Sequence, residues 1–333
     1  MNETEGSAMR QTLLIGQDEV KNLLGMSETL RIVEEAFVLK AQGKTIMPCK
    51  IYLDLPEYHG DFRAMPAYID GSAGIKWVSV YPENRKYDLP SVMAVIIYCD
   101  PNNSYPLAIM DGTYITSMRT GASGGIAVKY LAREDSSVIG MVGVGEQAET
   151  QLMAIKEVLP GIKEVRAFSR HEESRQRFVR KMGEQLNLNI RPVGSVAEAA
   201  EADVIVATTY ATGPVVLKEH VRPGTHINAI GADAPGKQEL DPSLLSGAKI
   251  IVDDLEQAGH SGEINLPLAK GDITIENIHG TLGEIAAGAA VGRENDEEIT
   301  IFDSTGLAIQ DLVCAKLVYE KASRTGAVAF RFF

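Results

Sequence analysis

The sequence predicts an α/β protein made of a doubly wound parallel sheet and a second α+β domain, and three stretches carry the prediction. An apolar run from Val138 to Val142 enters the turn Gly143-Val144-Gly145-Glu146-Gln147-Ala148, after which Ala148, Leu152, Ile155 and Leu159 recur on one helical face. From Ser136 onward, apolar β-rich runs alternate with helical patterns, the order that gives parallel strands with helical crossovers. Between Ile46 and about Leu107 the period changes to two, as expected of a mostly antiparallel sheet.

In chain order, Leu13 to Gly43 reads as a short strand and then a helix, with Ser27 as N-cap and Leu30, Val33, Phe37 and Ala41 in phase. The period-two region divides at turn residues into runs at Ile46–Leu55, Asp61–Ile69, Gly74–Tyr81 and Val92–Cys99. A helix over Tyr114–Ala132 follows. It holds Arg119-Thr120-Gly121-Ala122-Ser123-Gly124-Gly125, small residues that suit close packing or close approach to a ligand. Strands are then expected at Val138–Val142, Val165–Phe168, Leu188–Val193, Val204–Ala207, His226–Ile230, Ile250–Val252 and Ile299–Phe302, before a last helix near Gly306–Ala322.

The glycine turn points to a dinucleotide. Gly143 permits the tight turn, Gly145 lets a pyrophosphate approach the backbone, and Ala148 stands where the helix packs on the strand. The phosphates would rest on free amides of the first helical turn, at Glu146 and Gln147. The next strand ends in Ser169-Arg170-His171, where a carboxylate would bind a ribose 2′-hydroxyl and an arginine suits a 2′-phosphate. With Ser169 and Arg170 present and no acid, NADP is favoured over NAD.

At 333 residues, two domains are the natural expectation. The formal net charge of −13, without clustered cations, speaks against a nucleic-acid partner. Cys49, Cys99 and Cys314 are scattered and odd in number, which fits a reducing cytosol better than disulfides or zinc. The first residues, MNETEGSAMRQ, lack the order of a signal peptide, and no apolar run is long enough for a membrane span. A cytoplasmic protein without membrane partner is expected. No HExxH or close ligand pair suggests a metal, and no GxSxG suggests a hydrolase.

Charged residues set in apolar strands are the candidates for chemistry, because desolvated charge is expensive unless used. Lys76, between Ile75 and Trp77-Val78, reads either as a proton carrier or as an edge lysine whose head reaches solvent. Arg119, among small residues, suits forked recognition of a carboxylate or phosphate, and Lys50 is a second possible anion contact. Asp233 follows an apolar strand within GADAPGK, where ligands of parallel sheets gather, though Asp before Pro-Gly also simply makes turns.

Blocks spread over nearly the whole chain and in the right order carry a more specific signal. MPAY at Met65–Tyr68, GIKWVSVYPEN at Gly74–Asn84, PLAIMDGTYITSMRTGASGGIAVKYLA at Pro106–Ala132, GVGEQA, GADAPGKQEL at Gly231–Leu240, GEINLPLAKG at Gly262–Gly271 and DSTGLAIQD at Asp303–Asp311 together resemble the ornithine cyclodeaminase/μ-crystallin family. The resemblance is nearest to its archaeal-type alanine dehydrogenase branch. It implies a homodimer with a discontinuous substrate and dimerisation domain (1–132 and 307–333) and a Rossmann NAD(P) domain (133–306). It further implies Lys76 and Asp233 as catalytic residues, Arg119, Lys50 and Met65 on the substrate side, and Thr120, Gly121, Thr208, Ser304, Thr305 and Gly306 near the cofactor.

One departure bears on the activity. Ornithine cyclodeaminases resemble one another in a glutamate two residues before the Met-Pro pair; here that position is Arg63, which would repel a second ammonium group. The resemblance therefore implies an NAD(P)-dependent oxidoreductase acting on the Cα–N bond of a small amino acid, alanine first. A ketimine reductase, a cyclodeaminase or a μ-crystallin-like NADP or small-molecule binding protein are the alternatives.

Overall fold

A computed structural model describes residues 10–333, so the N-terminal leader reading lies almost wholly outside the described residues. The chain divides into two compact units.

The first comprises the chain up to Gly25, Thr45–Thr116 and Ala308–Phe333. Its strands are β1 (Thr12–Ile15), β2 (Thr45–Ile46), β3 (Ile51–Leu55), β4 (Gly60–Ile69), β5 (Ser72–Val80), β6 (Val92–Cys99) and β7 (Pro106–Asp111). The sheet runs from the C-terminal strand Val328–Phe330 through β1, β7, β6, β5 and β4 to β2, with β3 also on β4. Only the β1–β7 pairing is parallel. Strand alternation sends Arg63, Met65, Ala67 and Ile69 of β4 to the buried face, with Lys76, Val78 and Val80 of β5 beside them. The helix Ala308–Thr325 covers that face because Ile309, Leu312, Ala315, Val318 and Ala322 recur at helical spacing and are buried. The opposite face stays apolar and exposed: Trp77, Val95 and Ile97 are 45%, 46% and 38% accessible, and Phe62 stacks on Trp77 at 5.3 Å.

The second unit comprises Met26–Lys44 and Ser117–Leu307. Its strands are β8 (Val138–Val142), β9 (Glu164–Phe168), β10 (Ile190–Pro192), β11 (Val204–Ala207), β12 (Thr212–Val216), β13 (His226–Ala229), β14 (Gln238–Leu240), β15 (Lys249–Val252), β16 (Ile278–Thr281) and β17 (Thr300–Asp303). Eight of them form a parallel Rossmann sheet in the order β10-β9-β8-β11-β13-β17-β15-β16. The chain reverses its direction of travel across the sheet between β8 and β11, the switch point at which such sheets bind ligands.

Three details differ from the sequence reading. The units divide at Thr116/Ser117 and include Met26–Lys44 in the nucleotide-type unit, whereas 132/133 was expected. The small-residue helix explains this: a Cβ on Gly121 would lie 2.4 Å from the Thr150 carbonyl oxygen, and one on Gly125 would meet Ala154 and Leu30. Close packing ties Thr113–Leu131, beyond its first turn, and Met26–Ala41 to the Glu146–Val158 helix. Ser27 lies inside its helix, which begins at Met26, rather than capping it. The short parallel pair of β12 and β14 was not anticipated, since three and five residues carry too little periodicity to read.

Candidate active site and dinucleotide site

In the first unit, Lys76 stands in a cross-strand row on the buried face, with Met65 opposite on β4 and Ile96 opposite on β6. Its side chain is 1% exposed and its Nζ lies 2.7 Å from Asp311 Oδ2 of the C-terminal helix, whose side chain is equally buried. The Nζ also donates to Thr116 Oγ1 at 3.1 Å. The edge-lysine alternative is thereby excluded: the ammonium faces inward and is held by a carboxylate and a hydroxyl. Arg63 shares this face, two residues along β4 from Met65. Its Nε and Nη2 donate to the two carboxylate oxygens of Asp61 at 2.7 and 3.0 Å, and it stacks over the Tyr52 ring. Lys50, half-buried, precedes β3.

In the second unit, the glycine turn has the form a pyrophosphate needs. Gly143 takes a left-handed φ of +101°, donates to the Phe168 carbonyl at the end of β9, and leaves no space for a Cβ against Thr208. Gly145 caps the Glu146–Val158 helix without a side-chain bond, is exposed, and has open space where a Cβ would be. The first helical amides therefore face a cradle, and an anion there gains from both N–H donors and the helix dipole. Beside it, Gln147 Oε1 and Thr208 Oγ1, and at the end of β17 Ser304 Oγ, are buried with no hydrogen-bond partner among the described residues. Buried polar atoms are normally satisfied, so a ligand with hydrogen-bonding groups suits these three. The set fits a dinucleotide. At the end of β9, Ser169 accepts from Arg175 through its carbonyl, and Arg170 is exposed.

Two further sequence candidates lie in this unit, at separate places. Arg119, 5% exposed, lies against Gly306, whose φ of +80° and lack of Cβ allow the guanidinium to approach. Thr120 and Gly121 pack on the neighbouring helix: Gln151 donates to the Thr120 carbonyl, and Gly121 abuts Thr150. Asp233, 31% exposed, accepts from Lys237 Nζ at 2.6 Å, and Lys237 in turn lies over the Tyr210 ring.

The sequence reading missed several polar groups. Asp311 and Thr116 hold Lys76. Asp253 accepts from the amides of Thr305 and Gly306 at 2.7 Å each and from the Thr305 hydroxyl. Glu239 and Glu263 are buried carboxyls whose acidity is weakened by loss of solvent, Glu239 being pushed up to about 7. The sequence held no clear signal for these acids: Asp311 follows Gln310, Asp253 precedes Asp254, Glu239 follows Gln238 and Glu263 follows Gly262, so none is a lone acid in an apolar run. Among the described residues, no group of three or more His, Cys, Asp or Glu could hold a metal, and no helix is long and apolar enough to cross a membrane.

A Rossmann sheet with an open glycine turn and an unmet Thr208 hydroxyl at its switch point defines a dinucleotide-binding protein. Within that class, the model of the ornithine cyclodeaminase/mu-crystallin family matches residues 10–326, and the chain belongs to that family. The chain is 52% identical to an alanine dehydrogenase of Archaeoglobus fulgidus, over 97% of this chain and 99% of the relative. The solved archaeal alanine dehydrogenase dimer with bound NAD superposes with a TM-score of 0.93, covering 97% of this chain and all of that one. A Thermococcus litoralis Δ1-pyrroline-2-carboxylate reductase, solved with NADH and L-proline, follows at 41% identity and a TM-score of 0.92, covering 95% and 99%.

Proposed function

We propose that the protein is an NAD(P)-dependent alanine dehydrogenase, interconverting L-alanine and pyruvate plus ammonium. The observation that carries the proposal is the buried Lys76, held by Asp311 and Thr116 on the face it shares with Met65 and Arg63. A catalytic ammonium needs such a setting, since a fixed, water-poor group moves a proton without first reorganising solvent. The likeness to alanine dehydrogenases supports the choice of substrate.

In the oxidative direction one water is consumed, and ammonium and a proton are released with the 2-oxo acid. A bound nicotinamide supplies the hydride acceptor. In the first unit, Lys50 contributes charge for the substrate carboxylate, Lys76 exchanges a proton with the amine or the attacking water, and Met65 shapes an apolar wall suited to a methyl side chain. Arg63 stands where cyclodeaminases carry a glutamate and, with its fork engaged by Asp61, offers no free carboxylate to a second ammonium group. In the second unit, Asp233 accepts and returns the amine proton, Arg119 binds an anion, and the Gly143–Gln147 turn, Thr208 and Ser304–Gly306 hold the dinucleotide. Ser169 and Arg170, with no acid between the end of β9 and His171, favour a 2′-phosphate and hence NADP. The protein acts as a homodimer through the exposed Trp77, Val95 and Ile97 face.

A second reading is a reductase of cyclic ketimines, favoured by the likeness to the pyrroline-carboxylate reductase. Following NADPH and NADH absorbance with pyruvate, with and without ammonium, and with Δ1-pyrroline-2-carboxylate in parallel, separates the two. Oxidation that requires both pyruvate and ammonium supports the dehydrogenase; activity confined to the cyclic imine moves the protein to the reductases.

A further inference from the structure

We propose that Glu239 is a positioning residue: its two carboxylate oxygens each accept one backbone amide, Thr209 and Gly231, and so clamp the Asp233 loop to the loop that carries Thr208. The bonds are 2.6 Å from Thr209 N to Oε1 and 2.7 Å from Gly231 N to Oε2. These loops leave the carboxyl ends of the adjacent parallel strands β11 and β13, the edge where a ligand binds. The inference rests on the proposed role of Asp233.

Several observations show that the clamp is built. A Cβ on Gly231 would lie 2.3 Å from the Thr209 carbonyl oxygen and 2.5 Å from Glu239 Oε2, so glycine alone lets the three groups close together. Glu239 is itself fixed from behind, for Glu263 accepts from the amides of Glu239 and Leu240. The far end of the Asp233 loop is held independently. Asn265 accepts from Gly236 N and donates to the Lys237 carbonyl, while Lys237 Nζ binds Asp233 Oδ1. Glu239 therefore governs the strand-proximal end of the loop and the Lys237–Asn265 contacts govern the other.

Only an ionised carboxylate offers an acceptor at both oxygens; protonation turns one oxygen into a donor and leaves one buried amide unpaired. The clamp is thus proton-controlled. The charges beside it are Lys237, which favours the ionised form of Glu239, and Glu263, whose own ionisation is disfavoured by burial and by Glu239 and Asp303. Burial outweighs the amide bonds and pushes Glu239 up to about 7. Below that pH one loop is released, and the alignment of Asp233 with it.

The test combines kinetics with amide exchange on the full-length protein. In wild type, kcat/KM should fall on the acid side with an inflection near 7. Glu239→Gln, which retains one acceptor, should lose that inflection and lower kcat by on the order of 10- to 100-fold, with KM changed far less. Exchange of the Thr209 and Gly231 amides, corrected for intrinsic rates, should show weaker protection in wild type at pH 6 than at pH 8.5. Glu239→Gln should show no such difference. A wild-type pH profile in Glu239→Gln, or wild-type protection at these amides that is independent of pH, overturns the proposal. Exchange is read on wild type without turnover. Absent activity with pH-dependent protection would therefore refute the reading of Asp233 while leaving the clamp standing, and a variant that fails to fold leaves the wild-type exchange to decide.

Discussion

Lys76 is a cation with almost no access to water, and its charge is offset by Asp311 2.7 Å away and by a hydrogen bond to the Thr116 hydroxyl. Removing one member of a buried pair strands the other, so Asp311→Asn should lower stability by about 3–5 kcal/mol in chemical denaturation as well as reducing turnover. Lys76→Met and Asp233→Asn should abolish turnover while leaving dinucleotide affinity within about threefold, because neither belongs to the glycine turn; normal turnover in either would refute its role. Arg170→Asp should raise the preference for NADH over NADPH by roughly 10-fold or more, read from the ratio of kcat/KM values. An unchanged ratio would remove the argument for NADP. Lys76 was legible in the sequence because a lone cation among Ile75, Trp77 and Val78 breaks the strand pattern. Asp311 was not, since an acid in a helix is ordinarily solvated and only folding sets the C-terminal helix on the Lys76 row.

At the scale of elements, β13 carries His226 and Asn228 side by side in the core. His226 bonds Thr300 Oγ1 and Asn228 Oδ1 at 2.9 Å each, and Asn228 donates to the Gly124 carbonyl. Full burial pushes His226 down from 6.5 to about 3, so the native state holds it neutral. That contribution to stability is present above 6.5 and is lost as pH falls towards 3, on the order of 5 kcal/mol when complete. Glu239 has the opposite sign: raised from 4.5 to about 7, its contribution is present below 4.5 and lost as pH rises through 7. Thermal unfolding across pH 3–8 should therefore show His226→Gln flattening the acid limb and Glu239→Gln flattening the decline between pH 5 and 8. Gly121→Val should cost roughly 3 kcal/mol through collision with the Thr150 carbonyl. The small-residue helix announced close packing in the sequence, but not its neighbour. Hence the unit boundary moved from 132/133 to Thr116/Ser117. The central strands β8 and β11 were legible to the residue, because fully buried parallel strands are unbroken apolar runs.

For the molecule as a whole, the first unit leaves an apolar sheet face in water, and a second copy of the chain is the occupant proposed for it. Trp77→Glu with Ile97→Glu places charge on that face without touching the buried side of the sheet, so sedimentation should report a monomer that remains folded. A dimer of unchanged affinity would refute the assignment. The α/β architecture and the glycine turn could be read from periodicity alone, whereas the exposed face could not, since alternation marks both sides of a strand as apolar without saying which is covered. For the chemistry, the most direct test is NADPH and NADH oxidation with pyruvate in the presence and absence of ammonium. Oxidation should require both pyruvate and ammonium and should be lost in Lys76→Met. Oxidation only with a cyclic imine, or turnover that survives the loss of Lys76, would contradict the proposed function.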